Sequence, residues 1–322
     1  MIKNYDLING IVQYNQVISD ALPSFVFYPS ILTEMTNNGQ DVWAMNLPKR
    51  RCNKIILHTQ DHLNVKNNSC PELQFIENYY KTNLEDIVII FWNHNLNKIY
   101  DGKLKLIEFP THSFDFLQHL INRKKEWYEE LFNRTNRYNF ICLNGKEKDF
   151  RMKVVNYLKQ VGSNYYITHG WDNNSFPDAK YKDYDFDNAD NFIKLLPLYR
   201  GSNVNIVTET LYNESHGIIS EKTLDAFVAM QLPIFVSYKG MVNDLRNYGF
   251  DVYDDVIDHS YDTMDNSVRW KAAIDLNQHI INGDYDYESL LPRLKQNQDY
   301  IINGYLNVLI ENFLHQVNDT IQ

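Results

Sequence analysis

Short apolar runs alternate with longer amphipathic stretches along this chain, and that alternation restricts it to α/β architectures. In the first part the expected strands are Phe25–Tyr28, Ile55–His58, Ile87–Trp92 and Leu104–Phe109. Ser113 to Phe132 then reads as a helix, with Phe116, Leu117, Leu120 and Ile121 on one side. Its later part, Asn122 to Glu130, is charged enough to be read as a solvated bridge between domains. A second αβ series starts at Tyr138. Asn139–Leu143 is a strand, and Asp149–Val161 a helix with Phe150, Val154, Leu158 and Val161 at helical spacing. Strands follow at Tyr165–Thr168 and Val204–Thr208, separated by an Asn-, Asp- and Tyr-rich tract, Trp171 to Asn191, that reads as a surface loop. A helix from Glu221 to Met230 shows an apolar face of Leu224, Phe227 and Val228. Pro233 opens the strand Ile234–Ser237, and the helical stretch Val242–Tyr248 stops at Gly249. No internal repeat is present.

Length and composition narrow the class further. A chain of 322 residues suggests two domains sharing one cleft, or one large domain. The expected division is a domain over 1–130, a second over 131–288, and a mostly helical tail, 289–322, packing back across the first. Hydrophobic residues at 44% and aromatics at 14% exclude wholesale disorder. The longest strongly apolar stretch, Ile87 to Trp92, falls far short of the ~20 residues of a membrane span. The first residues lack a basic region followed by an apolar core, so no secretory signal is expected. Cys52, Cys70 and Cys142 are odd in number and form no Cys-x-x-Cys, which supports neither a disulfide framework nor a zinc knuckle. A reducing cytoplasm is the expected setting. A formal charge of −10 argues against a general nucleic-acid binder, while remaining compatible with a local basic groove. Richness in Asn, Lys, Tyr and Ile points to an AT-rich genome, microbial or viral.

Two helix starts carry charge of an unfavourable sign. Ser220 is a good N-cap and Glu221 suits the positive helix end, but Lys222 in the first turn opposes the macrodipole. Arg151 repeats the misfit in the first turn of the helix after strand Asn139–Leu143. An anion between two such starts removes it, because free backbone N–H groups and a cation both point at the anion. A diphosphate is the anion that needs both. The plain alternative is that Lys222 swings into water and Arg151 pairs with a carboxylate such as Asp149.

Two blocks together carry a resemblance. Asn203-Val-Asn-Ile-Val-Thr-Glu209, then Ile219-Ser220-Glu221-Lys222-Thr223-Leu224-Asp225-Ala226-Phe227, then Leu232-Pro233-Ile234-Phe235, resembles the donor-binding motif of the α1,3-fucosyltransferase family. The block Asn139 to Asn144 followed by Arg151 is similar to that family's strand–Ser-Asn–Arg–helix segment. Order and spacing agree over residues 139 to about 255. Similar blocks, including Gly249 to Asp255 and Asp258 to Tyr261, occur in glycosyltransferase-like proteins of tailed bacteriophages. The resemblance implies a GT-B glycosyltransferase: two Rossmann-like domains facing across a cleft, with the nucleotide sugar on the C-terminal one. It implies Arg151 and Lys222 on the donor diphosphate, Glu221 on the nucleotide ribose, Glu209 near the sugar, and Ser220 in the same donor-binding set, where the family has Thr. The family's Phe before that glutamate is Thr208 here, and its Asn and Ser are replaced by Thr210 and Leu211, so neither fucose nor guanine is implied.

The implied chemistry is transfer from a nucleoside-diphosphate sugar, GDP- or UDP-linked, to an acceptor hydroxyl. It is expected to be inverting and to use those cations in place of a metal. Charge grows on the leaving phosphate, so a preorganised Arg, Lys and helix N-terminus stabilise the transition state more than the ground state. The base that deprotonates the acceptor is expected from the N-terminal domain, at strand C-terminal ends. Asp61 is the first choice, with His58, His62 and His94 behind it; the bland alternative for each is a surface or capping residue. The acceptor is a glycan or a hydroxymethylated base in bacteriophage DNA, for which Lys49, Arg50, Arg51 and Lys54 form a candidate basic cluster. The rival class is a non-catalytic sugar-nucleotide-binding or interaction protein on the same fold. Asp183-Tyr-Asp185-Phe-Asp187 and Asp284-Tyr-Asp286 are not preceded by a hydrophobic strand, as a metal-binding Asp-x-Asp would be, and read as solvated loops. The first also lacks the glycine and terminal acid of a calcium loop. The acids Asp251, Asp254, Asp255 and Asp258 either tune a helix start or coordinate nothing. His112, His119, His169 and His216 show no metal spacing.

Overall fold

The computed structural model describes residues 26–35, 41–44, 55–59, 70–81, 83–91, 100–145, 148–168, 188–212 and 217–321. The chain is mixed α/β and divides into two compact units, one of Met1–Asp115 with Asn307–Gln322, the other of Phe116–Leu306. Its strands are β1 (Val26–Met35), β2 (Asp41–Ala44), β3 (Ile55–Thr59), β4 (Ile87–Phe91), β5 (Lys105–Glu108), β6 (Phe140–Cys142), β7 (Tyr165–Ile167), β8 (Val204–Thr208) and β9 (Leu232–Val236). Its helices are α1 (Pro71–Tyr80), α2 (Thr111–Asn122), α3 (Asp149–Val161), α4 (Asn188–Tyr199), α5 (Glu221–Val228), α6 (Met241–Asn247), α7 (Asn266–Asp275), α8 (Gln278–Ile281), α9 (Tyr287–Tyr300) and α10 (Leu306–Ile321). Among the described residues no helix is long and apolar enough to cross a membrane.

The first unit's sheet has the order β2-β1-β3-β4-β5, with β1 and β2 antiparallel and the remaining pairs parallel. Every residue of β4 is 0% exposed, which is why this interior strand reads as an unbroken apolar run rather than an alternating one. Ile87, Ile89 and Phe91 share a core with Leu73, Ile76 and Tyr80 of α1, while Val88 and Ile90 point to the opposite face. The edge strand β5 is closed by a side chain from far along the sequence. Gln316 on α10 accepts from the Glu108 amide at 2.8 Å and donates to the Glu108 carbonyl at 3.1 Å. Phe313, one turn earlier, packs on Phe109.

The second unit's sheet is wholly parallel in the order β7-β6-β8-β9. β6 and β7 build outward in one direction; the chain then returns past β6 to lay down β8 and β9 on its other side. Strand order therefore reverses between β6 and β8. β9 carries Pro233, as an edge strand tolerates, and the Phe235 amide finds the Tyr261 hydroxyl at 3.2 Å instead of a further strand. At the amino ends of β8 and β9 Arg134 ties together the C-termini of two helices. Its guanidinium donates to the carbonyls of Tyr199 (2.6 Å), Ala229 (2.7 Å) and Met230 (2.6 Å) and to the Tyr287 hydroxyl. A cation there suits the negative helix ends.

Several elements differ from the sequence expectation. The helix expected over Ser113–Phe132 ends at Asn122, because the Trp127 indole donates to the Leu120 carbonyl at 2.8 Å and takes over its satisfaction. Short turns carry the charged stretch Asn122–Glu130, whose charged side chains are exposed or half-buried, while Trp127 within it is 0% exposed against Phe192. Asn188–Asn191, expected as loop, open α4; residues 171–187 of that tract lie outside the described residues. The tail is helical as expected, interrupted by a π-helical stretch at Ile301–Tyr305.

Candidate functional site at the strand-order switch

Open α/β sheets bind ligands beyond the carboxyl ends of their strands, where the strand order reverses. In the second unit that point lies between β6 and β8, and it is built from buried polar groups. Asn144, just past β6, is 1% exposed and bridges both neighbours. Its amide donates to Thr168 Oγ1 beyond β7 at 2.6 Å, and its Oδ1 accepts from Thr208 Oγ1 at the end of β8 at 2.5 Å. Its side-chain Nδ2 donates to the Thr168 carbonyl at 3.1 Å. Three strand ends are thereby tied together by hydrogen bonds.

Helix α3 brings Arg151 to this edge. Its inward stripe is Arg151, Val154, Val155 and Leu158, at i, i+3, i+4 and i+7, so a cation occupies a core position and Phe150 lies only half-buried beside it. Arg151 is 3% exposed and donates through Nη2 to the carbonyls of Thr208 (3.0 Å) and Glu209 (3.1 Å). Burial lowers its pKa, while Glu209, Cys142 and Glu221 oppose the shift. A guanidinium remains charged under such a load. It does not pair with Asp149.

Glu209 continues the chain of contacts. It is 0% exposed, and protein donors hold both carboxylate oxygens. Oε1 accepts from the Ser220 amide at 3.1 Å and Thr223 Oγ1 at 2.6 Å, and Oε2 from the Thr210 amide at 3.1 Å. This carboxylate thus clamps the first turn of α5 onto the end of β8. Ser220 caps α5 by accepting from the Lys222 amide at 3.3 Å. Lys222 neither swings into water nor stands alone. Its Nζ meets Glu221 Oε1 at 2.5 Å, and the two side chains are 26% and 20% exposed. Lys148, immediately before α3, donates to the Thr210 carbonyl at 2.8 Å. Arg151, Glu209, Ser220, Glu221 and Lys222 form one continuous contact series across two helix N-termini.

A rigid aromatic wall supports the loop after Glu209. Tyr212 stacks on Phe150, with ring centroids 5.0 Å apart and planes at 12°. Behind it Arg269, 1% exposed, donates to the Tyr212 carbonyl at 2.7 Å and the Ser237 carbonyl at 3.1 Å. Gly217 lies so close to the Tyr238 ring that a Cβ there would sit 1.8 Å from it, so no other residue fits that approach.

The candidate bases are placed differently. Asp61, His62 and His94 lie outside the described residues, and His58 lies in β3 with its side chain outside them. Lys49, Arg50, Arg51, Lys54, His169, His216 and Asp183–Asp187 also lie outside. Asp286 caps α9, and the acids at 251–258 are spoken for. Arg293 pairs with Asp251 (2.6 Å) and Asp255 (2.8 Å), Arg246 with Asp254 (2.5 Å), and Asp258 accepts from the Ser260 amide. Among the described residues no three His, Cys, Asp or Glu side chains gather to hold a metal ion. Thr168, Thr223 and Asp225 belong to the site's framework without having been singled out by sequence; the only signal for them is a polar residue ending or facing an otherwise apolar element. No protein-family model matches the chain, and no curated protein matches it in sequence.

Proposed function

We propose that this chain is a glycosyltransferase that uses a nucleoside-diphosphate sugar, with the donor held at the β6/β8 switch point and the two-domain arrangement of the GT-B class. The observation that carries the reading is the contact series from Arg151 through Glu209 and Ser220 to Lys222. It gathers two cations, two helix N-termini and two carboxylates at the place where α/β sheets bind nucleotides. In this reading Arg151 supplies fixed positive charge from a low-dielectric position, where it acts on a leaving diphosphate with no reorganisation. Lys222 turns from Glu221 to the phosphates, and Glu221 is released to the ribose hydroxyls. Opening that pair is inexpensive, since an ion pair this exposed is worth about 0–1 kcal/mol. Glu209 acts as a positioning residue for the α5 start. The acceptor, a glycan or a hydroxymethylated DNA base, is deprotonated by Asp61, or failing it His58, His62 or His94.

The test is calorimetric titration with GDP, UDP, ADP and CMP, on wild type and Lys222→Ala. One nucleotide is expected to bind at micromolar strength and to weaken at least tenfold in the variant, about 1.4 kcal/mol. Binding by none of them overturns the reading. Binding without transfer or hydrolysis of the matching sugar nucleotide assigns the chain to the non-catalytic class instead.

A further inference from the structure

Directly beneath the proposed donor site lies a carboxyl group that this mechanism does not use. Asp225 sits on α5 one turn after Glu221 and three residues after Lys222, so all three project along one side of the helix. It is 7% exposed, and its Oδ2 accepts from the Tyr199 hydroxyl of α4 at 2.9 Å. Its Oδ1 is buried without a hydrogen-bond partner. An ionised carboxylate offers about four acceptor positions and, when buried, requires donors or a cation at them. Asp225 has one neutral donor.

The charges around it make ionisation harder still. Facing it are Tyr199 from α4, Glu209 from the end of β8, and Glu221 and Lys222 from its own helix. The neighbouring strand β9 is apolar throughout and contributes no titratable group. From α9, the residue that reaches the helix is neutral Gln298, on the Val228 carbonyl. Arg151 and Lys222 already balance Glu209 and Glu221, so a third carboxylate turns the cluster net negative. Burial is the largest influence raising Asp225 above the ordinary carboxylate range; Glu221 and Glu209 add to it, while Tyr199 and Lys222 oppose it.

We propose that Asp225 is a positioning residue whose carboxyl is the neutral acid when an anion occupies the α5 N-terminus, so that anion binding there is coupled to its protonation. The inference rests on the donor-site reading above. A diphosphate placed on Lys222 brings negative charge within a helical turn of Asp225 and withdraws Lys222 from it, and both effects favour the protonated form. By linkage, protonation of Asp225 must then strengthen diphosphate binding by the same factor. The proton comes from solvent on binding and returns to it on release. Affinity is full below the titration of Asp225 and falls as pH rises through it.

Inorganic pyrophosphate is the probe, titrated into the full chain as wild type and Asp225→Asn from about pH 5 to about pH 8, above the ordinary carboxylate range. Two buffers of different ionisation enthalpy count the protons taken up. The probe's own titration is common to both proteins and cancels in the comparison. Wild type is expected to take up a proton that the variant does not, and to lose affinity relative to the variant by on the order of tenfold across its titration. Parallel pH profiles with equal proton uptake overturn the coupling while leaving the donor site standing. Absence of pyrophosphate binding in both proteins overturns the donor site and the coupling with it. Should Asp225→Asn fail to fold, Tyr199→Phe keeps the acid and removes its donor. The wild-type profile is then expected to move to higher pH, and an unmoved profile refutes the proposal.

Discussion

Apart from the antiparallel pair β1 and β2, the two sheets run their strands in parallel but end them in opposite materials. In the first unit β4 and β5 lead into Phe91 and Phe109, and Phe109 is covered by Phe114 and Phe313 with ring centroids at 5.2 and 5.1 Å. In the second, β6, β7 and β8 lead into Asn144, Thr168, Thr208 and Glu209, each no more than 1% exposed. Apolar closure gains stability in proportion to area and tolerates repacking. A buried polar edge gains little net stability per bond, because each replaces a bond to water, yet every member depends on its partners' positions. Strand order does not make this division: in each sheet the second strand lies on one side of the first and the later strands on the other, although in the first unit that second strand is antiparallel. The difference teaches that the end of β5 is finished as core, while the ends of β6, β7 and β8 keep oriented dipoles and charges at low dielectric.

The largest expected effect breaks the apolar end. Phe109→Ala removes a fully buried ring from between two others and is expected to cost about 3–5 kcal/mol. Urea unfolding should show the loss in the transition of the first unit, with nucleotide affinity of the folded protein unchanged. A loss below about 1 kcal/mol would mean that the ring cluster is not what closes this edge. Next in size is the polar end. Thr208→Val keeps the shape of the side chain and strands the Asn144 Oδ1, which loses its 2.5 Å donor. The expected cost is about 1–3 kcal/mol. Nucleotide affinity should fall with it, because Arg151 and Glu209 hang on the same strand end. A melting temperature lowered with affinity intact would separate the network from the site.

Much of this arrangement was legible in the sequence, and the misses have physical causes. Val204–Thr208 and Asp149–Val161 follow directly from apolar runs and helical spacing; Lys222 and Arg151 follow from charges set against a helix dipole, Ser220 and Glu221 from residues that suit a helix start, and Glu209 from the resemblance alone. The rotation of α3 was not legible. Spacing favours Phe150 as its inward residue, but Arg151 takes that place because two carbonyls at the end of β8 repay its burial. Asp225 was hidden for the reverse reason: an acid on a short helix reads as solvent-facing until α4 is known to cover it. The helix break after Asn122 depends on Trp127 reaching back seven residues, a tertiary contact that no propensity encodes. The edge closure by Gln316 bridges 208 residues and is invisible to any local pattern.

That closure gives a smaller prediction within the first unit. Gln316→Ala leaves the Glu108 N–H and C=O without their side-chain partner and should cost about 1–2 kcal/mol. Hydrogen exchange at the Glu108 amide should rise, while amides of β4 remain protected. Equal protection in the variant would show that α10 covers the β5 edge by packing alone.

The smallest effect on stability is also the sharpest probe of the second unit. Glu221→Gln removes one partner of a pair whose side chains are 20% and 26% exposed, so folding should change by only about 0–1 kcal/mol. Its effect on ligands should split by chemistry. Pyrophosphate should bind more tightly, since a carboxylate beside the anion is gone and Lys222 is no longer held by it. The preferred nucleotide should bind more weakly, since the acceptor for its ribose hydroxyls is gone. The same substitution removes the strongest charge raising Asp225, so proton uptake on pyrophosphate binding should shift to lower pH. Opposite signs for the two ligands can arise only if Glu221 faces the sugar side of the anion; a common sign would place it elsewhere and reduce α5 to a well-capped structural helix.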